Sequence, residues 1–179
     1  MIIQPYDPEW PHMFHQLQAF LYRNLAGVYQ AIEHIGSTAV PGMAAKPIID
    51  VDVVMRDGKF EQIKDRLIAA GYEHRDDQGV PGRESFRMQD TGLLQALAPH
   101  HLYVLAADAE ELRRDRGFRD YLISHPEWAE KLSAHKLELA ARLGDDRDAY
   151  QAAKEPMVLE ILALALQPVL SRAEEEAPA

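Results

Sequence analysis

The segment Ile48-Ile49-Asp50-Val51-Asp52-Val53-Val54 constrains this chain more than any other stretch. Its β-branched residues predict a strand. The period of two that a strand imposes sends Asp50 and Asp52 to one face and Ile49, Val51 and Val53 to the other. The two aspartate Cα atoms then lie roughly 6.5 to 7 Å apart. Carboxylates so placed repel, and a divalent cation between them turns the repulsion into a ligand pair. The plainer alternative is a solvated pair near a sheet edge, since an Asp-x-Asp spacing is a short motif.

A second feature sharpens that reading. Val28 to Ile35 is a predicted strand, broken by Gly36-Ser37-Thr38-Ala39-Val40-Pro41-Gly42, with twelve residues between Ser37 and Asp50. Glycine lets a backbone approach a ligand closely, and Ser37 and Thr38 offer hydroxyls and main-chain N–H groups suited to cradling phosphate. One segment would hold a triphosphate and the next strand its metal. An ordinary loop over Gly36 to Gly42 is the alternative.

Around these segments the layout is α/β first and helical afterwards. Asp7 and Pro8 open a helix to about Ala26, and Asp57 caps a second that stops at Gly71. Strands are expected near Tyr72, over Glu84 to Met88 and over His100 to Leu105, with turns at Gly79 to Gly82 and Asp90-Thr91-Gly92. Asp108 and Glu111 have capping-box spacing for a helix to about Ile123. Two more helices follow, Pro126 to Leu143 and Arg147 to Leu166, with Pro156 as a kink point. The expectation is a single domain over 1–170, an α/β core to 107 and a helical part from 108, with 171–179 a flexible acidic tail.

Charge and composition narrow the partners. Against 19 Lys+Arg stand 29 Asp+Glu, a formal charge of -10, so no diffuse positive field draws in nucleic acid or an anionic membrane. There is no cysteine, which removes thiolate metal sites, disulfides and a Cys nucleophile. No apolar run approaches the roughly 20 residues that span a bilayer, and the first residues have no signal-peptide pattern. A cytoplasmic protein acting on a small molecule, without membrane or nucleic-acid partner, is the expectation.

The block His34-Ile35-Gly36-Ser37-Thr38-Ala39-Val40-Pro41-Gly42, followed by Ala45-Lys46-Pro47-Ile48-Ile49-Asp50-Val51-Asp52, closely resembles the signature of the GrpB family, which is placed in the nucleotidyltransferase superfamily. Arg83-Glu84-Ser85-Phe86, His100-His101-Leu102-Tyr103-Val104, Phe118-Arg119-Asp120-Tyr121-Leu122, His125-Pro126-Glu127 and Tyr150 with Lys154 resemble its later blocks. The resemblance runs from Tyr6 to about Ala165. It implies a nucleotidyltransferase-like fold: a small mixed β-sheet with helices packed on it, followed by C-terminal helices that close one wall of a cleft. It also implies that Asp50 and Asp52 hold Mg²⁺ while the Gly36 to Thr38 turn holds the phosphates of a nucleoside triphosphate. Members of the family also occur fused to dephospho-coenzyme A kinase, which makes coenzyme A precursors ligands to test.

The superfamily pattern also has a third carboxylate on a later strand. Here His100 to Leu105 contains no acid, and the residues sharing the aspartate face are His101 and Tyr103. Glu84 from another strand, His101 as ligand or base, or nucleotide binding without catalysis are the ways left open. A neutral imidazole at His101 can ligate a metal or take a proton from an attacking hydroxyl, and its ring is expected within about 4 to 8 Å of one carboxylate, in direct or water-bridged reach. Lys46, Arg83 and Arg87 are the natural phosphate partners, at least one of which should face the cleft. Lys136 and Lys154 enter only if the last helices wall it. His34 is expected to prop the turn.

Overall fold

The structure is a computed structural model and describes residues 2–167. The expected tail lies outside the described residues. Five strands, β1 Tyr29–Ile35, β2 Ile49–Met55, β3 Tyr72–His74, β4 Arg83–Met88 and β5 His100–Leu105, form one sheet in the order β1-β2-β5-β4-β3. Only β2 and β5 run parallel, and every other neighbouring pair is antiparallel. The sheet is therefore mixed, as the family resemblance implies.

Among the described residues six α-helices surround it: α1 Trp10–Leu25, α2 Phe60–Ala69, α3 Thr91–Ala96, α4 Glu110–Ser124, α5 Pro126–Leu143 and α6 Arg147–Ala165. Alternation along the strands decides what each face meets. Ile32, Ile49, Val51, Val53, Leu102, Val104, Phe86 and Tyr72 join Trp10, Phe14, Leu17, Leu21 and Leu25 of α1 and Ile63 and Leu67 of α2 in the main core. The opposite face carries Asp50, Asp52 and Val54 beside His101, Tyr103 and Leu105. There the start of α4 seals one end, where Leu112 packs on Val54 and Leu105. Further along, Leu122 of α4, Ala129 and Leu132 of α5 and Ile161 of α6 enclose Val40 and Met43, which follow the Gly-Ser turn. The helical part is thus anchored on the loop that leaves the turn.

Most boundaries fall within two residues of the pattern reading, and three local signals turned out differently. Asp90-Thr91-Gly92, read as a turn, opens α3: the Asp90 carboxylate accepts the Leu93 N–H at 2.9 Å. An aspartate turn and a helix N-cap share their first hydrogen bond, and the Leu93-Leu94-Gln95-Ala96 run that follows carries the chain on as helix. Asp57 does not cap α2, because Gly58 at φ 65° prolongs the turn and Lys59 takes the N-cap position. Asp108 does not cap α4 either, since a turn closed by Ala109 N–H to Ala106 C=O delays the start until Glu110.

Leu102 lies at the centre of the sheet with no exposed surface. Leu102→Ala is expected to cost about 2 to 5 kcal/mol of unfolding free energy. Urea denaturation with an unchanged slope checks it, and a loss under 1 kcal/mol would mean that this part of the core collapses onto the gap.

Candidate functional site

The site starts from a glycine that no other residue can replace. Gly36 ends β1 at φ 70° and ψ -167°, and Ser37 to Ala39 then form one turn of 3-10 helix. That backbone conformation is open essentially to glycine alone. Space adds a second requirement: a Cβ at Gly36 would collide with Asp50 Oδ2 and lie 3.1 Å from the Asp50 Cβ and Cγ. The turn and the first aspartate of β2 are therefore in direct apposition. Behind the turn, His34 Nε2 and Thr38 Oγ1 share a hydrogen bond of 2.9 Å, and the His34 ring stacks on Phe14 at 4.7 Å. Burial pushes the His34 imidazole down to about 4, so a neutral ring props the turn.

The parallel register of β2 and β5 sets Asp50 beside His101 and Asp52 beside Tyr103. His101 Nδ1 lies 2.8 Å from Asp50 Oδ1, a direct contact and closer than the sequence suggested. The two aspartates nevertheless live in different surroundings. Asp50 lines an open cavity of about 270 Å³ together with Ser37, Thr38, Lys46 and His101. Asp52, expected to open onto the same surface, is 0% exposed, and neither of its carboxylate oxygens has a hydrogen-bond partner. Burial first, then the charges of Asp115, Glu33 and Asp50, push it up to about 8, against the opposing pull of Arg83. A buried carboxylate with two orphaned oxygens, next to a second carboxylate that faces the cavity, suits a divalent cation. Among the described residues, no three His, Asp or Glu side chains stand ready as a ligand set. A cation here would be held by Asp50 and Asp52.

Glu84 does not supply the missing acid. It pairs in register with Val104, on the α1 and α2 side of the sheet, and it bonds His74 Nε2 at 2.7 Å. The acid that does reach the neighbourhood is Asp115 of α4, which the sequence reading missed. Its Oδ2 is buried without a partner, and burial followed by the charge of Glu111 pushes it up to about 7. The available signal was periodic: Asp115 falls three residues after buried Leu112, on the helix face that packs inward.

The cations also sort differently from expectation. Lys46 lines the cavity beside Asp50, as anticipated. Arg83 does not: its guanidinium lies 4.5 Å over the Tyr103 ring and 3.9 Å from Glu111, where its charge offsets Asp52 and Asp115 from within. Arg87 is exposed in a neighbouring depression. The last helices take over the missing role. Lys136 of α5 is 4% exposed, and its Nζ donates to Ser37 Oγ and to the Ala44 carbonyl, each at 2.8 Å. Lys154 of α6 lines the same cavity, and its Nζ and that of Lys46 lie 5.8 and 5.7 Å from the Tyr150 ring centre. Burial and the nearby Lys154 charge push Lys136 down to about 7. Three lysines with no carboxylate partner among the described residues thus stand near the Gly-Ser turn, an arrangement that an incoming polyanion would relieve.

Two consequences are measurable. Gly36→Ala is expected to lose at least roughly 1 to 3 kcal/mol of stability from backbone strain alone; thermal unfolding checks this, and a parent-like midpoint would mean that the turn tolerates a Cβ. For Lys136, between pH 7 and the ordinary lysine value of 10.5 the unfolded chain holds the proton and the folded chain has released it. Rising pH therefore favours the folded state, by up to ~1.4 kcal/mol per unit. The stability of the parent relative to Lys136→Met should climb from pH 7 to 9, and a constant difference would contradict the burial of this amine.

Comparison with known proteins identifies the family and the fold. A family profile described as GrpB protein matches residues 1–164. A UPF0157 protein of Pseudomonas aeruginosa is 34% identical over 92% of this chain and 67% of its own length. One of Bacillus subtilis is 32% identical over 86% of this chain and 43% of its own. A dephospho-CoA kinase of Mycolicibacterium paratuberculosis is 30% identical over 85% of this chain, which spans only 42% of that protein. Among solved structures, the conserved protein GrpB from Enterococcus faecalis superimposes with a TM-score of 0.76 at 30% identity, over 91% of this chain and 98% of that one. The Cid1 poly(U) polymerase, in a crystal structure bound to MgATP, superimposes with a TM-score of 0.53 at 18% identity, over 78% of this chain and 45% of that one. The latter likeness is one of fold, that of the nucleotidyltransferases. The Gly-Ser turn, the Asp50/Asp52 strand and the match over nearly the whole described chain lead to one conclusion: the chain belongs to the GrpB family.

Proposed function

We propose that the protein binds a magnesium-complexed nucleoside triphosphate at the Gly36 to Thr38 turn and transfers its nucleoside monophosphate to an acceptor hydroxyl. The observation that carries this reading is the convergence on one cavity of Ser37, Thr38, Asp50 and three lysines from three separate segments. Lys46 and Lys154 supply positive charge for the β- and γ-phosphates, Lys136 joins them once a polyanion nearby raises its proton affinity, and the turn supplies hydroxyls and main-chain N–H groups. Asp50 and Asp52 would hold the Mg²⁺, which supplies Lewis-acid polarisation and charge neutralisation when bound. The acceptor oxygen bonds to the α-phosphorus, the bond from that phosphorus to the bridging oxygen breaks, and pyrophosphate leaves. His101, which lines the same cavity, is the group proposed to take the hydroxyl proton. Its Nδ1 faces Asp50, so Nε2 is the nitrogen that takes the proton.

A second reading is a nucleotide- or coenzyme A-precursor-binding module without turnover. Two observations favour it: β5 offers no acid beside the pair, and burial together with the neighbouring acids pushes Asp52 up to about 8. The match to a dephospho-CoA kinase bears on it too, although this chain spans less than half of that protein.

Thermal shift with nucleoside triphosphates, with and without Mg²⁺, separates binders from non-binders because a ligand of the folded state raises its stability. Asp50→Asn is expected to lower Mg²⁺-dependent triphosphate affinity at least tenfold, since the amide keeps the shape and loses the charge. His101→Ala is expected to remove roughly 10² to 10⁴ of any turnover while triphosphate binding survives. Parent-like turnover in that variant would refute the base role. Tight MgATP binding with no pyrophosphate release in the presence of any acceptor would favour the module.

A further inference from the structure

Beside the nucleotide cavity lies a larger one of about 650 Å³ that no part of the reading above uses. The β4–β5 ladder ends at Phe86↔Leu102, while β4 continues to Met88 and β5 begins at His100. The cavity opens where these two strands stop pairing. Its volume is in the range of small-molecule sites, and its residues divide into two chemical sets. Phe86, Met88, Leu94 and Pro99 give it an apolar wall. Arg75, Arg87 and Arg147 give it positive charge, and no acidic residue lines it, in a protein whose formal charge is -10.

The arginines are not consumed by the fold. Among the described residues Arg87 and Arg147 have no carboxylate within salt-bridge distance, and only Arg75 is paired, with Glu73 at 3.4 Å. Glu73 faces Arg87 across the β3–β4 ladder, yet its carboxylate is turned to Arg75 and to Gln89 Nε2. Three guanidiniums, from the residue that follows β3, from β4 and from the first residue of α6, line one cavity beside an apolar wall, and an anion among them would offset their mutual repulsion. The cavity also adjoins the first one, with Ile48 and His101 lining both. A molecule that fills it would therefore meet His101, the residue that also contacts Asp50.

We infer that this second cavity is the acceptor site and that the acceptor is a small molecule carrying a phosphate group on an apolar or ring-bearing body. The phosphate lies among Arg75, Arg87 and Arg147, the body lies on Phe86, Met88 and Pro99, and the far end presents its hydroxyl at His101. The term acceptor rests on the nucleotidyl-transfer reading, whereas the anion selectivity rests on the cavity alone.

Phenyl phosphate is a suitable probe, with phenol as its uncharged counterpart. In a titration of ¹⁵N-labelled protein, phenyl phosphate is expected to shift the amides of Arg87, Met88 and His101 to saturation, and phenol is not. The double variant Arg87→Gln/Arg147→Gln alters exposed side chains only and is expected to weaken phenyl phosphate at least tenfold. Lys154→Gln, in the first cavity, is expected to leave phenyl phosphate affinity unchanged and to weaken MgATP. Equal binding of phenol, unchanged affinity in the double variant, or shifts confined to residues 36–39 would overturn the inference. So would a six-nucleotide single-stranded RNA that saturates the same amides more tightly with a steep salt dependence, because that face would then serve nucleic acid. Loss of MgATP binding with phenyl phosphate binding intact would refute the nucleotide reading and leave this anion site standing.

Discussion

The apposition of Asp50 on Gly36 is the contact on which the site depends. It brings the residue that follows β1 against the start of β2, and it works only because that residue has no side chain and tolerates a φ of 70°. The chain then turns at Ser37, so that its hydroxyl and main-chain groups stand over the carboxylate face of the sheet. His101 is placed by the same geometry, since the parallel register of β5 with β2 sets it level with Asp50. Turn, acid and imidazole are thus held by backbone pairing rather than by mobile loops, which is how a site keeps its geometry before its ligand arrives.

Charge is distributed through this region in a way that the ligand-free protein tolerates at a cost. Asp52 and Asp115 are buried with orphaned oxygens, and Arg83 lies close enough to offset both. On the other side of the turn Lys136 is buried among a hydroxyl, a carbonyl and a neighbouring lysine. The acids have one buried guanidinium, Arg83, between them, while Lys136 on the Ser37 side has no carboxylate partner among the described residues. A metal and a polyanion supplied together would satisfy both sets, whereas either alone leaves one of them unpaired. That physical asymmetry, more than any single residue, is what favours a metal-bound phosphate ester over a plain metal site.

The helical part completes the cavity. Its three helices are fixed on Val40 and Met43, immediately beyond the turn, so the position of Lys136 relative to Ser37 is set by apolar packing. Arg116 and Arg119 of α4 bind Glu33 on β1 and tie the same helices to the sheet edge. Changes in this packing would be felt at the cavity around Ser37 without touching any residue that lines it.

Local pattern was enough to read the strands, the Gly-Ser turn and the shared face of Asp50, Asp52 and His101, because a period of two and a turn-forming glycine are properties of a few consecutive residues. The limits of α5 were equally legible, since Pro126 opens that helix and Gly144 closes it. What the tertiary structure alone decided were the relations across long stretches of chain. Ser37 and Lys136 are 99 residues apart, and nothing near either predicts that they share a hydrogen bond. Whether Asp52 would face water or be covered depended on where α4 lands, and the same packing turned Arg83 inward toward the acids. Asp115 looked like one more charge on a polar helix until its face met the sheet. A strand's alternation fixes which side a residue takes, and only the packing of distant segments fixes what it meets there.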